Sequence, residues 1–203
     1  MLAVGEFTIE PIRTPQELDL AWRFLLSIFA SLETGWRGPR FFRERLARES
    51  PMMLAAKREE EIAGVVLGHV DGDGLGTVDH LAVAAAARGE GVGRGLLSAL
   101  ESGARGLGVR RLTLGSIEGA VGFYERCGYG GRLLLQFISP ARRDEVAPLF
   151  ADFALLETQW RDVPQLWVQT PRVDMALTNR IEGRDGVHAQ WVMDKDLALP
   201  GSW

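Results

Sequence analysis

Cysteine is almost missing from this chain: Cys127 stands alone among 203 residues. No intramolecular disulfide can form, so a reducing compartment is expected, with Cys127 structural rather than nucleophilic. Lysine is nearly as scarce. Of 23 basic residues only Lys57 and Lys195 are lysines, and the formal net charge is −4. That balance argues against a broad nucleic-acid surface. No apolar run approaches the ~20 residues of a membrane span. Met1–Glu10 lacks a basic start followed by an apolar core, so no signal peptide is expected. These absences point to a cytoplasmic protein with neither membrane nor nucleic acid as partner. Metal-ligand patterns are missing too. His69 and His188 stand alone in sequence, and "DGDGLG" has too few carboxylates for a calcium loop, so no metal is expected.

What is present is a real core and a mixed element order. Hydrophobic residues make up 46% of the chain, ordinary for a globular domain. "EFTIEPIR" reads as a strand stopped by Pro11. Thr14-Pro15 then opens a helix whose Leu18, Trp22, Leu25 and Phe29 form one buried stripe. "SLETGWRGP" is a loop and "RFFRERLARE" a short Arg-rich helix with a solvated face. "MMLAAKR", "EIAGVVLGHV" and "GTVDHLAV" read as three strands, followed by a Gly-rich turn and a helix to about Arg105. "RRLTLGS" is a strand, "EGAVGFYERCG" a helix ended by Gly128, and "GGRLLLQFIS" a returning strand. The fold class is α/β (α+β): a mixed central sheet flanked by helices.

The tail repeats itself. Shifted by 31 residues, Leu135 falls on Leu166, Pro140 on Pro171, Gln159 on Gln190 and Trp160 on Trp191. Each copy reads strand, Pro-started helix, strand, so the pair makes β-α-β-β-α-β, a ferredoxin-like arrangement. The expected domains are therefore residues 1–138 and a C-terminal module, 139–203, with the strand at about 132–138 shared between them. Trp160 and Trp191 should occupy related sites on the outer strands. A bare outer strand is an association edge, so a homodimer is expected through residues 139–195.

The turn "RGEGVGRG" places Gly89, Gly91, Gly93 and Gly95 between a strand and a helix. Such a turn offers free backbone N–H groups at the positive end of a helix dipole, a ready phosphate site. A P-loop is excluded because Gly93 is followed by Arg94 and Gly95 instead of Lys and Ser/Thr. A dinucleotide fold is poorly matched: its third glycine is misplaced, and "RRLTL" supplies no carboxylate. Arg88-Gly89-Glu90-Gly91-Val92-Gly93 instead resembles the Arg/Gln-x-x-Gly-x-Gly/Ala signature of the GNAT superfamily of acyl-CoA-dependent N-acyltransferases. "AVGFYERCGYG", about 30 residues on, is similar to that family's late helix. The resemblance spans roughly the first two thirds of the chain. Two positions depart from it: Ala85 where proline is frequent, and Ile117 where asparagine is frequent, with Ser116 or Glu118 as substitutes.

The resemblance implies acetyl-CoA as co-substrate and a small-molecule or peptide amine as acceptor, joined by direct transfer. It places the CoA pyrophosphate on the N–H groups of Arg88, Gly89, Gly91, Val92 and Gly93, with the Arg88 and Arg94 side chains adding charge, and the pantetheine arm along Leu81 and Val83. It makes Tyr124 the acid that protonates the departing thiolate. For the base, strand alternation puts Thr77, Asp79, Leu81 and Val83 on one face and His80 on the other. Asp79 is the first choice. Trp36, Arg37 and Arg40 mark an entrance suited to an aromatic or anionic feature of the acceptor. The alternative from another class is a catalytically weak acyl-CoA- or ligand-binding regulatory protein on the same core.

Overall fold

In the computed structural model, residues 2–4, 6–29, 37–116, 118–170 and 172–197 are described, those of 2–4 and 118 by backbone alone. Trp36, Ile117 and Pro171 lie outside them. The chain folds into two compact units, residues 1–112 with 196–203, and residues 113–195. From sequence the boundary falls after residue 138; the compact units divide after Leu112.

The first unit is built on five antiparallel strands in sequential order: β1 (Leu2–Val4), β2 (Phe7–Pro11), β3 (Met53–Arg58), β4 (Glu61–Gly72) and β5 (Leu75–Val83). β1 is too short for alternation to reveal it in sequence. Helix α1 (Pro15–Ile28) begins where Thr14-Pro15 predicts. Glu17 N–H donates to Thr14 Oγ1 at 3.2 Å, and Thr14 N–H donates to Glu17 Oε2 at 3.0 Å, so two otherwise orphaned donors are satisfied reciprocally. The expected stripe is buried at Leu18, Trp22 and Leu25. Together with Phe42 of α2 (Pro39–Arg43) and Leu46 of α3 (Leu46–Glu49), it packs on Met53, Ala55, Val65, Leu67 and Ala82 of the sheet. Each large side chain buried there contributes roughly 1.5–3 kcal/mol.

The other sheet face is covered by α4 (Val92–Gly106), which buries Val92, Leu96, Leu97, Leu100 and Ala104. Close approach is needed at its far end. A Cβ on Gly103 would lie 2.2 Å from the Pro51 carbonyl oxygen, so only glycine allows this helix to seat.

The second unit runs β6 (Arg111–Ser116), α5 (Glu118–Arg126), β7 (Gly130–Phe137), α6 (Pro140–Val146), β8 (Ala154–Trp160), β9 (Val163–Gln169), α7 (Ala176–Asn179) and β10 (Val187–Asp196). Its strands lie in the order β6-β10-β7-β9-β8. From β7 onward this is the β-α-β-β-α-β order read from the repeat, with fourth, first, third and second strands side by side, but the second helix is not Pro-started: α7 begins at Ala176. The repeat-related Leu135 and Leu166 are direct cross-strand partners. Ser139 caps α6, its hydroxyl accepting from Arg142 N–H at 3.2 Å, and Pro140 occupies the first turn. α5 ends at Gly128 in the left-handed region (φ 85°), as its sequence predicts.

The two tryptophans depart from pseudo-symmetry. Trp191 is fully buried, whereas Trp160 is 44% exposed. The cause is position in the sheet: β10 lies between β6 and β7, while β8 is an edge with one neighbour.

Candidate active site

β5 leaves the sheet at Val83 and enters the glycine turn through a single 3₁₀ turn at Ala85–Ala87. Gly89 and Gly91 both have positive φ, 82° and 83°, a conformation that a side chain strains. Gly91 is the N-cap of α4 and supplies no side-chain cap. The helix's first hydrogen bond runs from Gly95 N–H to Gly91 O at 2.9 Å, so the N–H groups of Val92, Gly93 and Arg94 precede the ladder. Arg88, Gly89, Glu90, Gly91 and Arg94 are exposed and Gly93 half-buried. Nothing stands within 4 Å of the Cβ position of Gly89. Exposed backbone donors with two arginines adjacent in the chain suit a polyanion such as a pyrophosphate, so these residues fit CoA. Arg88 Nε also donates to Val83 O at 3.3 Å, tying the turn back to the strand.

Upstream, β5 carries an extra residue. The register with β4 pairs Gly68 with Val78 and Leu67 with His80, leaving Asp79 opposite no one. This bulge corrects the expectation from plain alternation. Asp79 and His80 both face α1 and α2: Asp79 bonds Arg37, and His80 stacks edge-on against Trp22 at 5.6 Å and near Phe42 at 5.8 Å. Beyond the bulge, Leu81 pairs with Val66 and Val83 with Gly64, whose Cα faces Leu96 and Val92 of α4. Leu81 and Val83 therefore turn their half-buried side chains to the opposite face from Asp79.

His69, which looks isolated in sequence, is the centre of a charged cluster. Its Nδ1 lies 2.7 Å from Asp79 Oδ2 and its Nε2 2.8 Å from Asp71 Oδ1. Thr77 Oγ1 donates to Asp71 Oδ2 at 2.6 Å, and Arg37 Nη1 to Asp79 Oδ1 at 2.5 Å. Arg37 Nη1 also approaches His69 Nδ1 at 3.3 Å. A carboxylate oxygen only accepts, so the shorter contact with Asp79 puts a proton on Nδ1, and Arg37 donates to Asp79 instead of to the ring. Asp71, like Asp79, is unpaired in the ladder: Val70 pairs with Gly76 and Gly72 with Leu75. Both ring nitrogens contact carboxylates directly, which makes the cluster an ion-pair network and not a metal-ligand set. Reading β4 and β5 together, as a hairpin closed by "DGDG", would have set His69 opposite Thr77, but not the two unpaired carboxylates.

Burial works against a charge on His69, but the hydrogen bonds to Asp71 and Asp79 outweigh it and raise its pKa to about 9. Burial also works against ionised Asp71, and the bonds from His69 and Thr77 overcome it to lower the pKa of that carboxyl. His80 moves the other way, its pKa lowered by burial, and it stays neutral.

Tyr124 lies on α5 in the second unit, buried at 8% exposure, with Phe123 and Tyr129 rings at 5.0 and 6.0 Å. Burial pushes its pKa up to about 12, so the phenol keeps its proton throughout the neutral range. Ser116 is buried at the end of β6.

Residues 20–129 match the acetyltransferase (GNAT) family. No curated protein matches the chain. Solved structures of similar fold include the ribosomal-protein-S18-alanine N-acetyltransferase of Escherichia coli, at 16% identity and a TM-score of 0.57, covering 97% of each chain. Another is Arabidopsis thaliana Naa50 in complex with the bisubstrate analogue CoA-Ac-MVNAL, at 12% identity and a TM-score of 0.54, over 94% of this chain and 99% of that one. Ard1 from Thermoplasma volcanium is similar at 18% identity and a TM-score of 0.50, over 81% and 99%.

The His69 network predicts a pH-dependent stability. The folded pKa of about 9 lies above the ordinary 6.5, so the stabilisation is complete below about pH 6.5 and is lost as pH rises through about 9. A shift of that size corresponds to about 3 kcal/mol. Thermal melts of the wild type should weaken across this window, and those of His69→Gln should not. Parallel curves for the two proteins would contradict the assignment.

Proposed function

The chain belongs to the GNAT acetyltransferase family, and from that premise we propose that it transfers acetyl from acetyl-CoA to a primary amine by direct attack. The observation that carries this is the glycine turn: left-handed Gly89 and Gly91 opening an uncapped helix start beside Arg88 and Arg94. Acetyl-CoA supplies an activated thioester. The N–H groups from Gly89 to Gly93 hold its pyrophosphate, that of Arg88 being already bonded to Ala85 O at 3.3 Å; the two arginine side chains add charge-assisted contacts, and the β5 main chain at Leu81 and Val83 takes the pantetheine arm.

The acceptor arrives as an ammonium and must lose a proton before its nitrogen can attack the thioester carbonyl. Asp79 is the acceptor-side carboxylate that receives this proton, directly or through a water. Each of its oxygens keeps a second lone pair beside the one held by Arg37 or His69. Tyr124 gives its proton to the departing thiolate. With a pKa of about 12 it is fully protonated at neutral pH and adds no limb to a neutral pH profile. Arg37 is bound to Asp79 and 4.0 Å from Asp71, so its charge is balanced within the cluster and does not call for an anionic acceptor.

We extend the proposal to a homodimer with the cytoplasm as its location. Edge strand β8 exposes Leu155, Leu156 and Trp160 at 37, 51 and 44%. An apolar edge with one row of backbone groups unpaired invites a second copy.

Three measurements test these readings. Acetyl-CoA turnover is assayed against an alkylamine, an arylethylamine, an amino acid and a short peptide with a free N-terminus. Wild type should acetylate at least one of them. Gly93→Asp should lose CoA binding in a calorimetric titration. Tyr124→Phe should bind CoA within a few-fold and lose roughly 10²–10⁴ in kcat, the range for a missing general acid. CoA binding by the wild type without turnover would replace the enzyme by a ligand-binding regulatory protein. For the dimer, sedimentation at micromolar concentration should give twice the chain mass for wild type and the monomer for Leu156→Lys; a monomeric wild type would end that proposal.

A further inference from the structure

His69 is a buried titratable group that the chemistry above leaves without a task. Its side chain is 4% exposed, yet both ring nitrogens are held by carboxylates. A buried charge is costly unless it is paired, so a histidine serving only as filler has no need of two anionic partners. The groups around it come from every neighbouring element. Asp71 comes from its own strand, Thr77 and Asp79 from β5, and Arg37 from the segment before α2. The Phe41 ring of α2 stands edge-on at 5.0 Å. Glu49 of α3 accepts the N–H of adjacent Val70 at 3.0 Å.

We propose that His69 is a positioning residue for acetyl transfer, fixing the Asp79 carboxylate opposite Arg37 so that its free lone pairs face the acceptor ammonium. The inference rests on the acetyl-transfer reading, in which Asp79 meets the acceptor. Arg37 holds Oδ1 and His69 holds Oδ2, so neither oxygen can rotate away without breaking a charged hydrogen bond. Asp71 is the outer half of the device. It is 30% exposed, and it holds the far ring nitrogen while Thr77 holds it in turn. With His69 protonated, two carboxylates meet two cations. Loss of that proton leaves one excess negative charge and removes one of the two ring donors, so one carboxylate loses its bond to the ring. Turnover therefore depends on the protonation of a residue that touches no substrate.

The test is the pH dependence of kcat at saturating acetyl-CoA and saturating amine, using the best acceptor of the panel above. Wild type should show kcat falling as pH rises through about 9. Asp71→Asn removes one charged partner of the imidazole and should move this limb down by about one to two pH units, with the KM for acetyl-CoA unchanged within a few-fold. His69→Gln keeps a single donor and should lower kcat by about tenfold while abolishing the limb. Should His69→Gln fail to fold, Asp71→Asn, altered at a partly exposed position, decides alone. A limb that stays in place in Asp71→Asn overturns the positioning role. A wild type that acetylates no amine of the panel overturns the acetyl-transfer reading and this inference with it. Turnover with an immobile limb overturns this inference only.

Discussion

The ion pair between His69 and the two carboxylates of its own hairpin is the constraint on which the proposed acceptor side of this protein depends. Asp71 and Asp79 are the residues that the β4–β5 ladder leaves unpaired. Each extra residue bends its strand and re-aims a side chain. Without the bulge at Asp79, plain alternation would set Thr77 and Asp79 on the same face but send His80 away from Trp22 and Phe42. With it, a carboxylate and an aromatic-packed imidazole come to the same face in consecutive positions. Arg37 is then held to the sheet through Asp79, and Phe41 covers His69. A single buried charge thereby joins two strands, Arg37 and one helix.

The same strand carries the other half of the proposed chemistry. β5 holds Asp79 in its middle and ends at Val83, from which the chain passes directly into the glycine turn. Any movement of β5 along β4 would displace both at once. The register is held by buried neighbours on both faces: Ala82 in the α1 cluster, and Gly64 and Val66 on the side of α4. A one-residue slip would invert every side chain of the strand, so core packing protects the relation between Asp79 and the turn.

How much of this is visible in sequence depends on where the information lies. The glycine turn is legible because its constraint is backbone conformation, which glycine alone meets without strain at Gly89 and Gly91. The starts of α1 and α6 are legible for a similar reason: Thr14-Pro15 and Ser139-Pro140 supply a side-chain acceptor and a preset φ. The tail's β-α-β-β-α-β order shows through an internal repeat. The bulges at Asp71 and Asp79 have no such mark. They arise from how two strands pair, and alternation within one strand cannot show them. His69 therefore reads as a lone histidine, and His80 is assigned to the wrong face. Trp160 and Trp191 mislead in the same way, since equivalent places in a repeat become an edge strand and an interior strand once β6 lies beside β10.

The most direct measurement of the central ion pair is nitrogen-15 NMR of the His69 ring in the intact protein at about pH 8, above the ordinary histidine pKa and below the raised value of about 9. An imidazolium clamped by Asp71 and Asp79 predicts that Nδ1 and Nε2 are both protonated there, each with a ring proton shifted downfield by its carboxylate. A His69 spectrum with one bare ring nitrogen at that pH would contradict the account.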